Sequence, residues 1–419
     1  MATSARCRAS IRALPRTRFV RSCAAMDRRT TLRLGAAVAA SALVDTSLWS
    51  RALAAPAVAG PGPYGPLLPP DENGIMLPAG FTSRIIAHAQ ERVPGTDYVW
   101  PIFPDGGATY RAGSGGWIYV ANSEFVAPGG VSAVRFDHRG KILAAYSICT
   151  GTFVNCAGGR TPWNTWLTCE EVAGGSVYEC DPTGRKPARR VPALGTFKHE
   201  AAAIDAHFNV YLTEDEPDGR FYRFVPQRRR SIDAGELQVA QVLEDGSVRW
   251  LRVPEPNPAI PGDGTPTRYQ VPESTVFRGG EGIVYDRGRV WISTKGDGKV
   301  WEYDTYTQRM SVAYDPALDP GKQLTGVDNL TRSRAGDLVV AEDGGNLELV
   351  MLSPDGVASP ILRVTGQEGT ELAGPAFDPS GRRLYFSSQR ADGVGITYEV
   401  TGPFRRSARA PRDLPRVPR

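Results

Sequence analysis

The sequence offers no long hydrophobic run. Leu34 to Val44, the apolar segment near the N-terminus, falls well short of the roughly 20 residues that a membrane-spanning helix needs, so stable membrane insertion is not expected from it. Nor does the bulk of the chain carry a basic surplus. The 419 residues include 49 Lys and Arg against 45 Asp and Glu, but the excess sits at the two ends. Ten arginines and two acidic residues precede residue 55, and six arginines and one aspartate follow from Arg405 onward. The body between them holds 33 basic and 42 acidic residues. That balance argues against nucleic acid as a partner and suits the binding of cations. Cysteine is also sparse. Two of the six precede residue 55, which leaves Cys149, Cys156, Cys169 and Cys180, and spacing alone does not choose among free thiols, ligands and disulfides.

What the chain does have is turn formers and a distinctive N-terminus. Glycine (46) and proline (34) are abundant enough to favour many turns over long helices. Arg28-Arg29-Thr30-Thr31-Leu32-Arg33 reads as a twin-arginine export pattern, and Ala52-Leu53-Ala54 and Ala57-Val58-Ala59 offer small-residue cleavage sites. Residues 1–55 are therefore expected to be a signal peptide and leader, with Met26 as an alternative start. The twin-arginine machinery would export the protein folded, to the periplasm or the exterior. Residues 405–419, rich in arginine and proline, read as a disordered tail.

Between these ends, apolar runs of period two recur, each closing on a polar cluster. Examples are Trp117-Ile-Tyr-Val-Ala-Asn-Ser-Glu124, Trp166-Leu-Thr-Cys-Glu-Glu171 and Leu338-Val-Val-Ala-Glu-Asp343. Aligning Asn122, Cys169, Glu214, Thr294, Glu342 and Ser388 gives steps of 47, 45, 80, 48 and 46 residues, near the length of a propeller blade. The long step contains an insertion between roughly Gln227 and Thr275. Six such units predict an all-β chain, a six-bladed β-propeller over residues 56–404, in which radial repetition protects the sheet edges.

In a propeller the innermost strand of each blade begins at one mouth of the central channel. That rule gathers Cys156, Glu200, Glu281, Asp328 and Asn329, with Glu171 and Asp215 nearer the rim. Convergent carboxylates raise one another's pKa unless cations neutralise them, so a metal centre is the economical explanation. Other readings stay open residue by residue. Cys156 is a ligand, a buried thiol or half of a disulfide with Cys169. Glu170 and Glu171 alternate, so only one faces the mouth. His199 is a neighbour that hydrogen-bonds a ligand, and Cys169 and Trp163 are packing residues. Lys198 and Arg160 are either phosphate contacts or solvated charges.

Asn155-Cys-Ala-Gly-Gly-Arg-Thr-Pro-Trp-Asn-Thr-Trp-Leu-Thr-Cys-Glu-Glu171 resembles the signature of the PhoX-type alkaline phosphatase family, of which this would be a short member. Gly195-Thr-Phe-Lys-His-Glu200, Thr213-Glu-Asp-Glu216, Gly280-Glu-Gly282, Asp328-Asn329 and Glu371-Leu-Ala-Gly-Pro375 agree with it in the same order. The resemblance implies a propeller that hydrolyses phosphate monoesters with Fe(3+) and Ca(2+) ions. It implies Cys156 as an iron thiolate, Glu200 and Glu281 as further iron ligands, and Glu171 and Asp215 on the calcium side. Asn122, Lys198 and Arg278 are the candidate contacts to a small phosphate ester. The chain departs from the family in Ser123, where His is common, in Asn164, where Gly is common, and in Arg278, which lies three residues before its Glu. Two other functions compete: a calcium-dependent lactonase-like hydrolase, and a binding propeller whose ions are structural.

Overall fold

Short runs of alternating apolar residues, each ended by a Gly, Asn or Asp turn, fold into antiparallel meanders, because a two-sided period lets one sheet face pack on each neighbouring sheet. The computed structural model describes residues 56–406, all of which lie in one unit, Ser47–Arg419. Among the described residues the chain forms strands and four short 3-10 turns, with no α-helix. The twin-arginine pattern, the apolar segment and the tail beyond residue 406 lie outside the described residues.

Six sheets form a six-bladed propeller. Blade one runs Pro104–Arg111, Trp117–Ser123, Gly129–Phe136 and Ile142–Thr152. Blade two begins with Asn155–Arg160 and Trp166–Glu170, blade three with His199–Ile204 and Val210–Glu214, and blade four with Gly280–Asp286 and Arg289–Thr294. Blade five begins with Leu330–Arg332 and Leu338–Ala341, and blade six with Leu372–Phe377 and Arg383–Ser388. First strands of successive blades touch one another around the ring, and the first strand of blade six returns to that of blade one.

Two features close and thicken the ring. Thr82–His88, a strand from the N-terminal part of the described chain, pairs antiparallel with Ile396–Thr401 and supplies the outermost strand of blade six. The ring is thus sealed by hydrogen bonds between the two ends of the described chain. Arg84 reinforces this seam with a two-pronged contact to the buried Glu399, at 2.9 Å from each carboxylate oxygen. The insertion after Gln227 supplies Gly235–Val242 and Val248–Arg252, a fourth and fifth strand of blade three. Apolar clusters fill the space between blades. One of them joins Tyr211, Phe221 and Ala240 of blade three to Ile292, Trp301 and Tyr303 of blade four.

The register corrects one part of the repeat. Five of the first strands bulge at their start, with two residues opposite one: Asp105-Gly106 in blade one, Cys156-Ala157 in blade two, Glu200-Ala201 in blade three, Glu281-Gly282 in blade four and Gly374-Pro375 in blade six. Counted from these bulges, Asn122 and Cys169 correspond to Thr213 and Ser293, not to Glu214 and Thr294. The expected alignment slipped by one residue because both Glu214 and Glu342 follow an apolar run. The tail boundary also moves. Arg405 is anchored: its guanidinium pairs with buried Asp337, and its backbone N–H donates to the Tyr64 hydroxyl at 3.2 Å.

Candidate metal centre at the channel mouth

A bulge bends its strand and re-aims a side chain, and here five blades use it at one end of the ring. The first bulge residues form an inner ring of Asp105, Cys156, Glu200 and Glu281, to which blade five adds Asp328. Blade six has Gly374 at this position. Its φ is +62°, and a Cβ there would lie 2.4 Å from the Asp105 carbonyl oxygen, so no side chain fits. The residue that follows the second strand in blades one to four, Glu124, Glu171, Asp215 and Lys295, forms an outer ring, which Asp343, two residues past the second strand of blade five, extends. Glu371, just before blade six, completes the set.

These side chains enclose a cavity of about 90 Å³ lined by Asp105, Glu124, Cys156, Glu171, Glu281, Lys295, Asp328, Glu371 and Arg390. Three groups at this mouth have ligand atoms no more than 4.8 Å apart: Glu124, Cys156 and Glu171; Asp105, Glu124 and Glu371; and Glu200, Glu281 and Asp328. Inner-ring members are buried, and several of their polar atoms are orphaned. Both carboxylate oxygens of Glu200 and Oδ1 of Asp105 lack any hydrogen-bond partner. Buried polar atoms are rarely left so, and a buried carboxylate with no donor at all fits the ligation of a cation.

Electrostatics agree. Burial, reinforced by Glu281 and Glu171, pushes the Glu200 carboxyl well above its ordinary range. Burial and then the nearby Asp105 and Glu200 raise the Cys156 thiol in the same way. Burial also pushes Glu371 up to about 7, with Asp343 adding to it. Burial and a hydrogen bond to Asp215 push Glu171 up to about 7. Burial acts on Asp215 as well, but hydrogen bonds from Glu171 and Lys198 outweigh it and hold that carboxyl low.

Three fixed cations each span a pair of these carboxylates. Lys198 Nζ lies 2.9 Å from Glu171 and 2.8 Å from Asp215. Lys295 Nζ lies 3.0 Å from Glu281 and 3.0 Å from Asp343. Arg390 joins Glu124 to Glu371. Nine carboxylates therefore face three cations, and the mouth keeps a large negative excess. By donor chemistry it fits metal ions, with one sulfur beside carboxylates and two groups of oxygen donors alone.

The structure brings together Cys156, Glu200, Glu281, Glu171 and Asp215. It gives the rest other roles. Asn122 is fully buried, with its amide donating to the carbonyls of Cys156 (3.0 Å) and Ala157 (2.8 Å) and accepting from Trp166 Nε1 (2.8 Å). It ties blade one to blade two and holds Cys156 in place, where a substrate contact was expected. Lys198 is held between two carboxylates, so its place is that of a counter-ion. Arg278 is exposed on the loop before Glu281, at the rim. His199 Nε2–H donates to the Gly195 carbonyl (3.1 Å) and the ring packs against Phe197, so it does not orient Glu200. Burial pushes its pKa down to about 3, which keeps it neutral.

Neighbouring choices resolve by alternation. Glu170 turns away and accepts backbone N–H groups from Phe153 (3.1 Å) and Ser176 (3.0 Å), leaving Glu171 to the mouth. Glu214 and Glu342 play the same bracing part in blades three and five. All four cysteines in the described residues are free, so Cys156 and Cys169 form no disulfide. Asn164 takes the φ of +65° that a glycine would otherwise supply in its turn. Sequence reasoning missed Asp105, Glu124, Asp343, Glu371, Lys295 and Arg390 as site residues. The available signal was positional: four of them lie one residue beyond an apolar strand or at the start of the next.

Comparison with known proteins gives this geometry a family. The family model described as alkaline phosphatase PhoX matches residues 127–392, more than half of the chain. The solved PhoX of Pseudomonas fluorescens, in complex with vanadate as a transition-state analogue, is 16% identical, with a TM-score of 0.66 over 83% of this chain and 98% of that one. A protein of unknown function from Bacteroides thetaiotaomicron is 11% identical, with a TM-score of 0.48 over 77% of this chain and 76% of that one. The PQQ domain of pyranose dehydrogenase from Coprinopsis cinerea, in its holo form, is 13% identical, with a TM-score of 0.44 over 82% and 100%. No curated protein matches. The chain belongs to the PhoX family of alkaline phosphatases.

Proposed function

We propose that this phosphatase is exported by the twin-arginine route to the periplasm or exterior and hydrolyses phosphate monoesters at a multinuclear iron and calcium centre in the channel mouth. The observation that carries the reading is the pair of orphaned oxygens on Glu200, buried among the carboxylates and the thiol of five blades. Among the described residues no group donates to them.

Cys156 would give the sulfur ligand to iron, with Glu200 and Glu281 beside it, and Glu171 and Asp215 would serve calcium. When bound, these ions supply the positive charge that holds phosphate oxygens and activates the attacking oxygen. The chain supplies the rest. The bulges fix ligand directions before any ion arrives, and the Asn122 amide pins the backbone on either side of Cys156, so little reorganisation is left to the reaction. Arg278, exposed at the rim, steers an anionic ester toward the mouth. Arg390, 39% exposed above Glu124 and Glu371, presents guanidinium N–H groups to a phosphate entering from the same side. A cavity of about 90 Å³ admits ions and phosphate oxygens and leaves the alcohol portion of the ester outside. Small esters of varied structure are the substrate class this implies.

The lactonase-like alternative requires an asparagine free to bind a single divalent ion. The amide of Asn122 is committed as described, and that of Asn329 donates to Asp328 (2.8 Å) and accepts from the Gly374 N–H (2.6 Å). The test is direct: purify the exported protein, measure bound iron and calcium, and assay p-nitrophenyl phosphate. Tightly bound iron with calcium and chelator-sensitive turnover is the expected result. Metal-free protein that still hydrolyses the ester would overturn the proposal.

A further inference from the structure

The outer ring contains one residue of the wrong sign. Glu124, Glu171 and Asp215 each follow a second-strand residue that pairs with the residue just before a bulge: Ser123 with Pro104, Glu170 with Asn155, and Glu214 with His199. In blade four the equivalent pair is Thr294 with Gly280, and the residue that follows is Lys295. Blade five restores a carboxylate with Asp343. Propeller geometry thus puts an ammonium where four other blades put an acid.

Exchanging a carboxylate for an ammonium changes the local charge by two, the charge of one divalent cation. The position of the ammonium matches that arithmetic. Lys295 Nζ sits 3.0 Å from Glu281 of its own blade and 3.0 Å from Asp343 of the next, bridging them as an ion would. It makes no contact with Glu200, whose two oxygens stay unpartnered. The ammonium therefore satisfies one edge of the mouth and leaves the interior to metal.

We infer that Lys295 is a resident counter-ion that occupies a divalent-cation position between blades four and five, so that this chain binds one metal ion fewer than its ring of blades would otherwise accommodate. The inference rests on the metal centre proposed above. Without Lys295, Glu281 and Asp343 would face each other with only a bound ion to separate their charges. Calcium is the class of ion the vacated position would take, because its ligands there would be oxygens.

The experiment uses full-length exported protein, saturated with iron and calcium and freed of loose ions. Metal per chain is counted by plasma mass spectrometry, and calcium binding is followed by titration calorimetry. Lys295→Glu should hold one more calcium ion per chain than the wild type. Lys295→Met, which removes the charge and keeps most of the volume, should bind calcium at this edge about tenfold more tightly than the wild type, the scale on which groups around a metal tune affinity. A folded Lys295→Glu protein with wild-type metal content would overturn the inference, as would Lys295→Met with unchanged calcium binding. If Lys295→Glu does not fold, the methionine variant decides. A wild-type protein with no bound metal fails differently, by removing the metal centre itself.

Discussion

The Cys156 sulfur lies 3.4 Å from Oδ2 of Asp105, the residue at the same bulge position in the preceding blade. The contact joins a soft and a hard donor across a blade boundary, although 51 residues separate them in the chain. Cys156→Ser keeps the hydrogen bond and discards the thiolate. We expect iron content to fall sharply, and turnover of p-nitrophenyl phosphate to drop by more than about 100-fold, the upper scale for losses at metal sites. Near-wild-type melting with metal-free protein would show that the loss is chemical.

Glu200→Gln separates structural from functional demands. In chelator-treated protein, a neutral amide replaces a carboxylate that has no donor, so the melting temperature should rise, by roughly 2–4 °C for about 1 kcal/mol. The same variant should lose bound iron and phosphatase activity. Paired melts with and without chelator check both halves, and a fall in the metal-free melt would contradict the assigned burden of charge.

Gly374→Ala tests the one blade with no inner-ring side chain. The added Cβ would meet the Asp105 carbonyl at 2.4 Å in a backbone that favours glycine. Blades six and one would be forced apart, at a cost of about 1–3 kcal/mol. Denaturant unfolding should show a lower midpoint, and activity should fall with it because Asp105 moves.

Asp319 supplies a pH dependence away from the mouth. Its carboxylate accepts N–H groups from Ala59 (3.1 Å), Gly321 (3.1 Å) and Gln323 (2.9 Å) and the Tyr314 hydroxyl (3.0 Å). Burial tends to raise its pKa, but these bonds prevail and hold it below the usual 3.8. A carboxyl depressed in the folded state adds stability at pH values above its unfolded pKa, and that stability is lost as the pH falls through the folded pKa. Below about pH 4, hydrogen exchange should therefore accelerate at Ala59, where Val58–Ala59 edges blade five. Asp319→Asn should show the faster exchange already at neutral pH.

Much of this was legible in the residues. Period-two runs such as Trp117–Ser123 can bury both faces only between sheets, and their spacing left a closed ring as the economical solution. Cys156, Glu200 and Glu281 were recognisable because each opens a first strand beside a distinctive motif. Asp105 was not, since Pro104-Asp105-Gly106-Gly107 reads as a turn until the bulge is seen. Glu214 and Glu342 misled for the opposite reason: they end strands as Glu171 nearly does, but lie one residue short of the mouth and brace backbone N–H groups.

The order of apolar and polar residues determined the strands, the blade count and the excess of acid, because those depend on local period and on composition. Which acids would meet, that Asn122 would be spent on a neighbouring backbone, and that Lys295 would stand among carboxylates were decided by the folded ring alone. Bulges and blade-to-blade register bring residues dozens of positions apart to within a few ångströms, and that placement depends on the pairing of whole strands, which a linear spacing does not encode.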